Sequence, residues 1–414
     1  MAASTGASLN PLSHPWTLLA AQIILTSLTV GFTKPSCFIR PAMLLPILCM
    51  TTVYISTART RVDNIFQLSW GGSQAVLATY QYIDVAIVSR WNFEHSGPEP
   101  RNKSEKQRSP FGADNPWNRL KFGLYAASSF RNCATVFETR GIKPFNRKDP
   151  SFIPSKERFI VSATMHLIAC YLTLDALTSL GDPDKQAVLF SESRIPLLSR
   201  LDQVTMQELI ERLTCSLVFW IVNYLVLSTS VTAISLIMVG TGLSSVAWWK
   251  PLFNIDNGFP YTVRRFWSNF WHLSVRNRIF APSVYTVHNI LKLPRGSANS
   301  RYMVLILTFA YSAGFHALGD ISCGISPHKT GAWLFFSVQA VAVMVEDLVQ
   351  CMWKQIFPET KSQRQIAPWQ IWVGRLWVFL LMYWCTPFYA YPVTAHNGDG
   401  LIVPFSVIRR MSVW

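Results

Sequence analysis

The stretch FAYSAGFHALGD, residues 309–320, sets a serine, a histidine and an aspartate four residues apart inside an otherwise apolar run. On a helix, residues four apart share a face, so Ser312, His316 and Asp320 form one stripe, with Tyr311 and Phe315 beside it. An ionisable side chain in such a run is costly unless it faces a bundle interior or a wet cavity, which marks His316 as a candidate for chemistry. A neutral imidazole takes up a proton near neutral pH, so His316 suits a general base and Asp320 is spaced to fix its tautomer. The same residue also fits a histidine that only hydrogen-bonds between helices. Ser312 as a nucleophile lacks a nucleophile-elbow pattern around it. A transporter relaying protons through His316, His166 and Glu346 would be expected to show duplicated halves, and none are visible.

The elements that carry these residues are apolar. Of the 414 residues, 50% are hydrophobic and only 14% charged, with 16 Trp and 26 Phe, which is too little surface polarity for a soluble domain of this length. The composition predicts an all-α, polytopic transmembrane helical bundle. The formal charge of +15 is spread between apolar runs, so it fits anionic lipid headgroups and positive-inside loops and excludes a nucleic-acid partner. Eight scattered cysteines form no C-x-x-C pair, which predicts neither a disulfide framework nor a metal site. The first apolar run, near Pro15, reads as a retained anchor.

About 20 mainly apolar residues span a bilayer. Windows near 15–33, 41–57, 158–180, 209–227, 229–248, 302–319, 331–350 and 370–390 meet that test and predict eight spans. A ninth element over 69–89 carries Gln and Asp, and reads equally as a span or as an interfacial helix. The run 209–248 is alternatively one long tilted helix broken near Thr229–Ser230. The polar stretch 91–157 reads as a cytosolic loop, 181–205 as a second polar insert, and the whole chain, 1–414, as a single membrane domain.

A second constellation, WKPLFNIDNGFPYTVRRFWSNFWHLSVRN at 249–277, is dense in Trp, Phe and Arg and reads as a surface-lying amphipathic helix. Arg264, Arg265, Arg276 and Arg278 suit lipid headgroups or, as the sharper alternative, the phosphates of a nucleotide-containing cofactor. Further along, Gln339, Glu346 and Gln350 fall within about 40 degrees of one another on a helix. They face a chamber or, with Asp347, sit at headgroup level against a basic neighbour such as Lys354. His166, in SATMHLIACYL, reads as a packing residue.

In order and spacing, RRFWSNFWH, LKLPRGSANSRYMVLILTFAYSAGFHALGD, FFSVQAVAVMVEDLV and GRLWVFLLMYWCTPFYAYP resemble the wax synthase-like branch of the membrane-bound O-acyltransferases, whose fungal members include terpenoid and meroterpenoid O-acetyltransferases. The resemblance makes 245–395 the catalytic core. The family's FW...WH block falls on Phe266, Trp267, Trp271 and His272, and its SG..H block on Ser312, Gly314 and His316. Ser312-Ala313-Gly314 departs from the direct Ser-Gly of many relatives, and Ser268-Asn269-Phe270 replaces a glycine-basic pair.

The resemblance implies a fold with an internal tunnel and transfer of an acyl group, most simply acetyl from acetyl-CoA, to a hydroxyl of an apolar, terpenoid-type alcohol. In that scheme His316 is the base, His272 its catalytic partner, and Asn269, Trp271, Ser312 and Asp320 give support. Arg264, Arg265 and Arg276 would bind the donor, no metal is needed, and the location is the endoplasmic reticulum. Wax-ester synthesis from a long acyl-CoA and a fatty alcohol is the alternative.

Overall fold

Apolar runs bounded by capping residues set the architecture of the computed structural model, which describes residues 14–98, 111–179, 183–357, 366–396 and 402–411. Its main helices are α1 (Pro15–Phe32), α2 (Leu44–Thr57), α3 (Ile65–Tyr82), α4 (Pro116–Ser128), α5 (Lys156–Ser179), α6 (Met206–Gly240), α7 (Arg276–Tyr285), α8 (Ala298–Ser322), α9 (Ala332–Ile356) and α10 (Pro368–His396). Proline opens α1 and α4, where its missing N–H costs nothing. The side chains of Asn64, Asn115, Thr205 and Ser297 each accept from the backbone N–H three residues on, capping α3, α4, α6 and α8. Among the described residues the only β pairing is an isolated bridge between Asn92 and Gly97.

Among the described residues, seven helices are long and apolar enough to cross a membrane: α1, Ile39–Thr60 around α2, α5, α6, α8, α9 and α10. The eight expected spans become seven because 209–227 and 229–248 are one helix of 35 residues. Thr229 and Ser230 do not break it: the helix is continuous from Met206 to Gly240, although the buried Thr229 hydroxyl finds no hydrogen-bond partner among the described residues. At 1.5 Å per residue α6 is about 52 Å long, against about 30 Å of hydrocarbon. Its first turns are charged: Glu208 pairs with Arg200 and Glu211 with Arg194. The 69–89 element is helical as α3, continued by a π-helical turn, Ile83–Val88. It is mostly buried but too polar to count among the seven.

The chain divides into two compact units. The first, residues 1–130 with 275–328, contains α1–α4, α7 and α8. A chain of buried polar groups ties three of its helices: Gln22 donates to Thr51 (2.7 Å), and Thr51 bonds Thr79 (2.7 Å). Such groups must pair with one another where water is excluded. Part of the expected polar loop 91–157 also belongs here, and part of it, 99–110, lies outside the described residues. Its stretch 116–128 is the helix α4, with Phe122, Tyr125 and Ala126 buried. Helix α4 lies so close to α1 that a Cβ on Gly123 would come within 2.1 Å of the Ser27 carbonyl oxygen.

The second unit, residues 131–274 with 329–414, contains α5, α6, α9, α10 and the aromatic segment 263–272. Helix α5 packs on α6, and α10 on both α6 and α9. Asp175, fully buried on α5, accepts from the backbone N–H groups of Val407 (2.8 Å) and Ile408 (3.1 Å) and from Ser179. It thereby caps the short helix Val407–Met411.

Candidate active site

In the first unit, Ser312, His316 and Asp320 share α8 at the expected spacing. Ser312 is buried, Asp320 is fully buried, and His316 is half-buried, so the imidazole is neither sealed in nor turned wholly outward. Two glycines hold this helix against α3. A Cβ on Gly319 would meet Ser73 Oγ at 2.2 Å and the Ser69 carbonyl oxygen at 2.7 Å, and one on Gly72 would meet Ser322 Oγ at 2.2 Å. Ser322 Oγ donates to the Leu68 carbonyl (2.9 Å). Phe315 packs with Val76 and Leu77, and Tyr311 meets Tyr80 edge-on at 5.3 Å. The backbone carrying His316 is therefore fixed on both sides of the ring.

In the second unit, His272 follows a π-helical turn, Phe266–Phe270, closed by Trp271 N–H donating to the Phe266 carbonyl (2.8 Å). Such turns recur at functional sites because they re-aim side chains. Trp271 then adopts an extended backbone, and the chain leaves the helix at His272. Thr262 caps the start of this segment, and Glu346 of α9 grips it. The Glu346 carboxylate accepts from Val263 N–H (2.5 Å), Arg264 N–H (3.3 Å) and Trp377 Nε1 (3.0 Å). Asp347 pairs with the Arg264 guanidinium (2.7 Å). Glu346 and Asp347 are thus anchors, and their partner is the 263–264 turn instead of Lys354. Gln339 is also structural: it accepts from Trp267 Nε1 (3.1 Å) and donates to Cys385 (3.2 Å). Gln350, the third member of that stripe, is exposed.

Aromatic packing fixes Trp271 and His272. Trp220 donates to Thr386 Oγ1 (2.9 Å) and meets Trp271 edge-on at 4.7 Å, while Phe253 contacts both Trp271 (5.3 Å) and His272 (6.1 Å). His272 Nδ1 is 2.8 Å from Ser274 Oγ. The ring is half-buried by surface area, but its surroundings shield it from water. That burial, with the Arg131 charge adding to it, pushes the imidazole down to about 4. His272 therefore stays neutral at physiological pH and suits hydrogen bonding better than proton uptake. Arg131 reaches its place by donating to the carbonyls of Pro251 (2.8 Å) and Lys250 (2.7 Å), and Lys250 pairs with Glu138 (2.7 Å). Sequence reasoning missed Arg131, Trp220 and Phe253, because no motif links them to residue 272.

Each of the three arginines expected to bind the donor has its own local setting. Arg264 is held by Asp347, Arg265 lies over the Tyr261 ring (4.4 Å), and Arg276 opens α7 in the first unit. Arg278, their neighbour, is buried against Phe130 and donates to Gln81 (3.2 Å). Asn269 is exposed and accepts from Ser268 Oγ (2.7 Å). His166 sits exposed on α5 beside Cys170 (3.4 Å), which fits packing. Among the described residues, no group of three His, Cys, Asp or Glu side chains is placed to hold a metal ion.

The sequence profile of the membrane bound O-acyl transferase family matches residues 249–338, a span that holds both the π-turn ending at His272 and the His316 helix. Acetyltransferase pyr8 of Aspergillus fumigatus is 31% identical over 293 residues, covering 69% of this chain and 67% of its own. This chain belongs to the membrane-bound O-acyltransferase family. It is accordingly an acyl-transferring enzyme and an integral membrane protein. Two relatives match over nearly their whole lengths. Acetyltransferase aurG of Calcarisporium arbuscula is 29% identical over 398 residues, 93% of this chain and 94% of its own, and acetyltransferase fsoF of Humicola fuscoatra is 28% identical over 414 residues, 94% and 98%. No solved structure matches the acyltransferase.

Proposed function

We propose that this acyltransferase moves the acetyl group of acetyl-CoA onto a hydroxyl of a terpenoid or meroterpenoid alcohol in the endoplasmic reticulum membrane, with His316 as the general base. One observation carries the chemistry: His316 stands half-buried, flanked one turn away by Ser312 and Asp320, on an apolar helix whose backbone is pinned by a glycine crossing. The names of the near-full-length relatives favour acetyl as the transferred group.

A thioester is already activated, so the enzyme must deprotonate the alcohol and shelter the charge that develops. The imidazole of His316 takes the hydroxyl proton as the alcohol oxygen attacks the thioester carbonyl. A tetrahedral intermediate forms, the carbon–sulfur bond breaks, and the imidazolium returns its proton to the departing CoA thiolate. The products are the acetyl ester and CoA. His272, neutral down to about 4, is suited to hydrogen bonding, so the base role falls to His316.

The test uses membranes from cells expressing the protein, labelled acetyl-CoA and a panel of terpenoid alcohols. Labelled ester is expected with the parent protein. His316→Ala, checked for folding by size-exclusion in detergent, should lose about 10²- to 10⁴-fold in rate, the span of a lost general base. A folded His316→Ala variant with normal turnover removes the assigned base. Ester formation from palmitoyl-CoA and a fatty alcohol, with none from acetyl-CoA, removes the assigned donor.

A further inference from the structure

The segment 131–139 of the second unit grips the chain beside His272, and the reaction scheme has not used it. Arg131 is only 7% exposed and spends its guanidinium on two backbone carbonyls, those of Lys250 (2.7 Å) and Pro251 (2.8 Å). A buried cation is costly unless it is hydrogen-bonded, and a planar guanidinium holds two acceptors in one fixed geometry. The segment is itself closed: Thr139 N–H donates to the Arg131 carbonyl (2.9 Å), and Ala134 N–H donates to Glu138 Oε2 (2.9 Å). Asn132 and Ala134 take left-handed φ values of 50° and 60°, a region that is costly for a residue with a Cβ and is kept only where the surroundings fix it. Glu138 completes the grip by pairing with Lys250 (2.7 Å).

The gripped residues lead straight to the site. Just after Pro251, the Phe253 ring contacts Tyr224 of α6 (4.6 Å), Trp271 (5.3 Å) and His272 (6.1 Å). Pro251, Phe253 and Asn254 face Asn269 and Leu273 across a crevice with no room for a water molecule. Contacts this close transmit a displacement, because there is no void to absorb it.

We infer that Arg131 is a positioning residue for acyl transfer: by clamping the Lys250 and Pro251 carbonyls it seats Phe253, and through Phe253 it fixes the orientation of the His272 ring. Its charge acts in the same sense, since a cation beside the imidazole opposes protonation and keeps the ring a neutral hydrogen-bonding group. The inference rests on the proposed part of His272 in transfer, so the test separates the two.

Transfer is measured on purified full-length protein in detergent, with labelled acetyl-CoA and the alcohol of the panel that is turned over fastest, and rates are taken per folded enzyme by size-exclusion. A misplacement of about 1 Å costs about 10²-fold, so Arg131→Gln should lower kcat about 10- to 100-fold and leave KM for acetyl-CoA within about twofold. Glu138→Gln loosens the outer end of the clamp with Arg131 in place, and should lower kcat by less, again at constant KM. A purely structural role would reduce the yield of folded enzyme and not the kcat of what remains. In a His272→Gln background, Arg131→Gln should cost no more than about twofold further, because residues that act as a unit are not additive. Unchanged kcat in the folded clamp variants overturns the inference, as does a rise in KM at constant kcat, or the full Arg131→Gln loss repeated in the His272→Gln background. Where Arg131→Gln yields no folded protein, Glu138→Gln alone decides. If His272→Gln turns over like the parent, the part given to His272 falls and the inference with it; if His272→Gln is slow and the clamp variants match the parent, only the inference falls.

Discussion

Replacing Glu346 by Gln keeps the volume of the side chain and removes its charge, which isolates what its carboxylate does. Three N–H groups converge on it: Val263, Arg264 and Trp377. An amide retains one acceptor oxygen and turns an NH₂ group toward at least one of those donors, so one or two charge-assisted bonds are lost. At about 1.5–3 kcal/mol each, the loss comes to about 3 kcal/mol. For a unit of about 200 residues this lowers the melting midpoint by about 6 to 12 °C. The assay is thermal unfolding of the purified protein in detergent, with transfer activity measured below the transition. Activity should fall as well, because the turn held by Glu346 starts the segment that ends in His272. Asp347→Asn is the internal control: its partner Arg264 is 45% exposed, and breaking such a pair costs about 0.5 kcal/mol. An E346Q midpoint within about 2 °C of the parent, or a larger effect from Asp347→Asn, would refute the anchoring role.

Two further outcomes follow from the same geometry. The His272 imidazole titrates near 4 when folded and near 6.5 when unfolded, so its contribution is intact above pH 6.5 and is lost as pH falls toward 4. Between pH 7 and pH 5 the parent should lose about 2 kcal/mol more stability than His272→Gln; equal pH slopes in paired melting curves would contradict the shift. Gly319→Val should lower stability by about 1–3 kcal/mol through overpacking, since even a Cβ would meet the Ser69 carbonyl oxygen at 2.7 Å, and the melting midpoint would show it. Activity should fall more than with a lipid-facing control such as Ile306→Val, because Gly319 is one turn from His316.

The spans were legible because an apolar run of membrane length has few alternatives, and the α8 stripe was legible because helical spacing alone aligns Ser312, His316 and Asp320. Helix α4 was not, because its sequence is amphipathic and basic. What fixes it is the close approach at Gly123 and Ser27, a contact between residues far apart in the chain. Of the two readings of 209–248, the single long helix holds up to Gly240, without the break near Thr229–Ser230, because hydropathy dips there while backbone hydrogen bonding continues. At the site, His316 and His272 stood out by type and motif. Their supports did not: Arg131 acts through carbonyls of a distant loop, and Glu346 serves backbone N–H groups, neither of which leaves a pairwise signature in composition or spacing. The arginines of 264–265 looked like phosphate ligands because guanidinium chemistry is visible in sequence while the acidic and aromatic groups that occupy them are not.

The cap that Asp175 supplies has a consequence for how the protein is made. This carboxylate leaves the ribosome 232 residues before the Val407 N–H that will satisfy it. Until residues 402–411 arrive, α5 carries a charge with two of its acceptor sites waiting, so that stretch of the nascent chain depends on water, on a neighbouring lipid headgroup or on the insertion machinery.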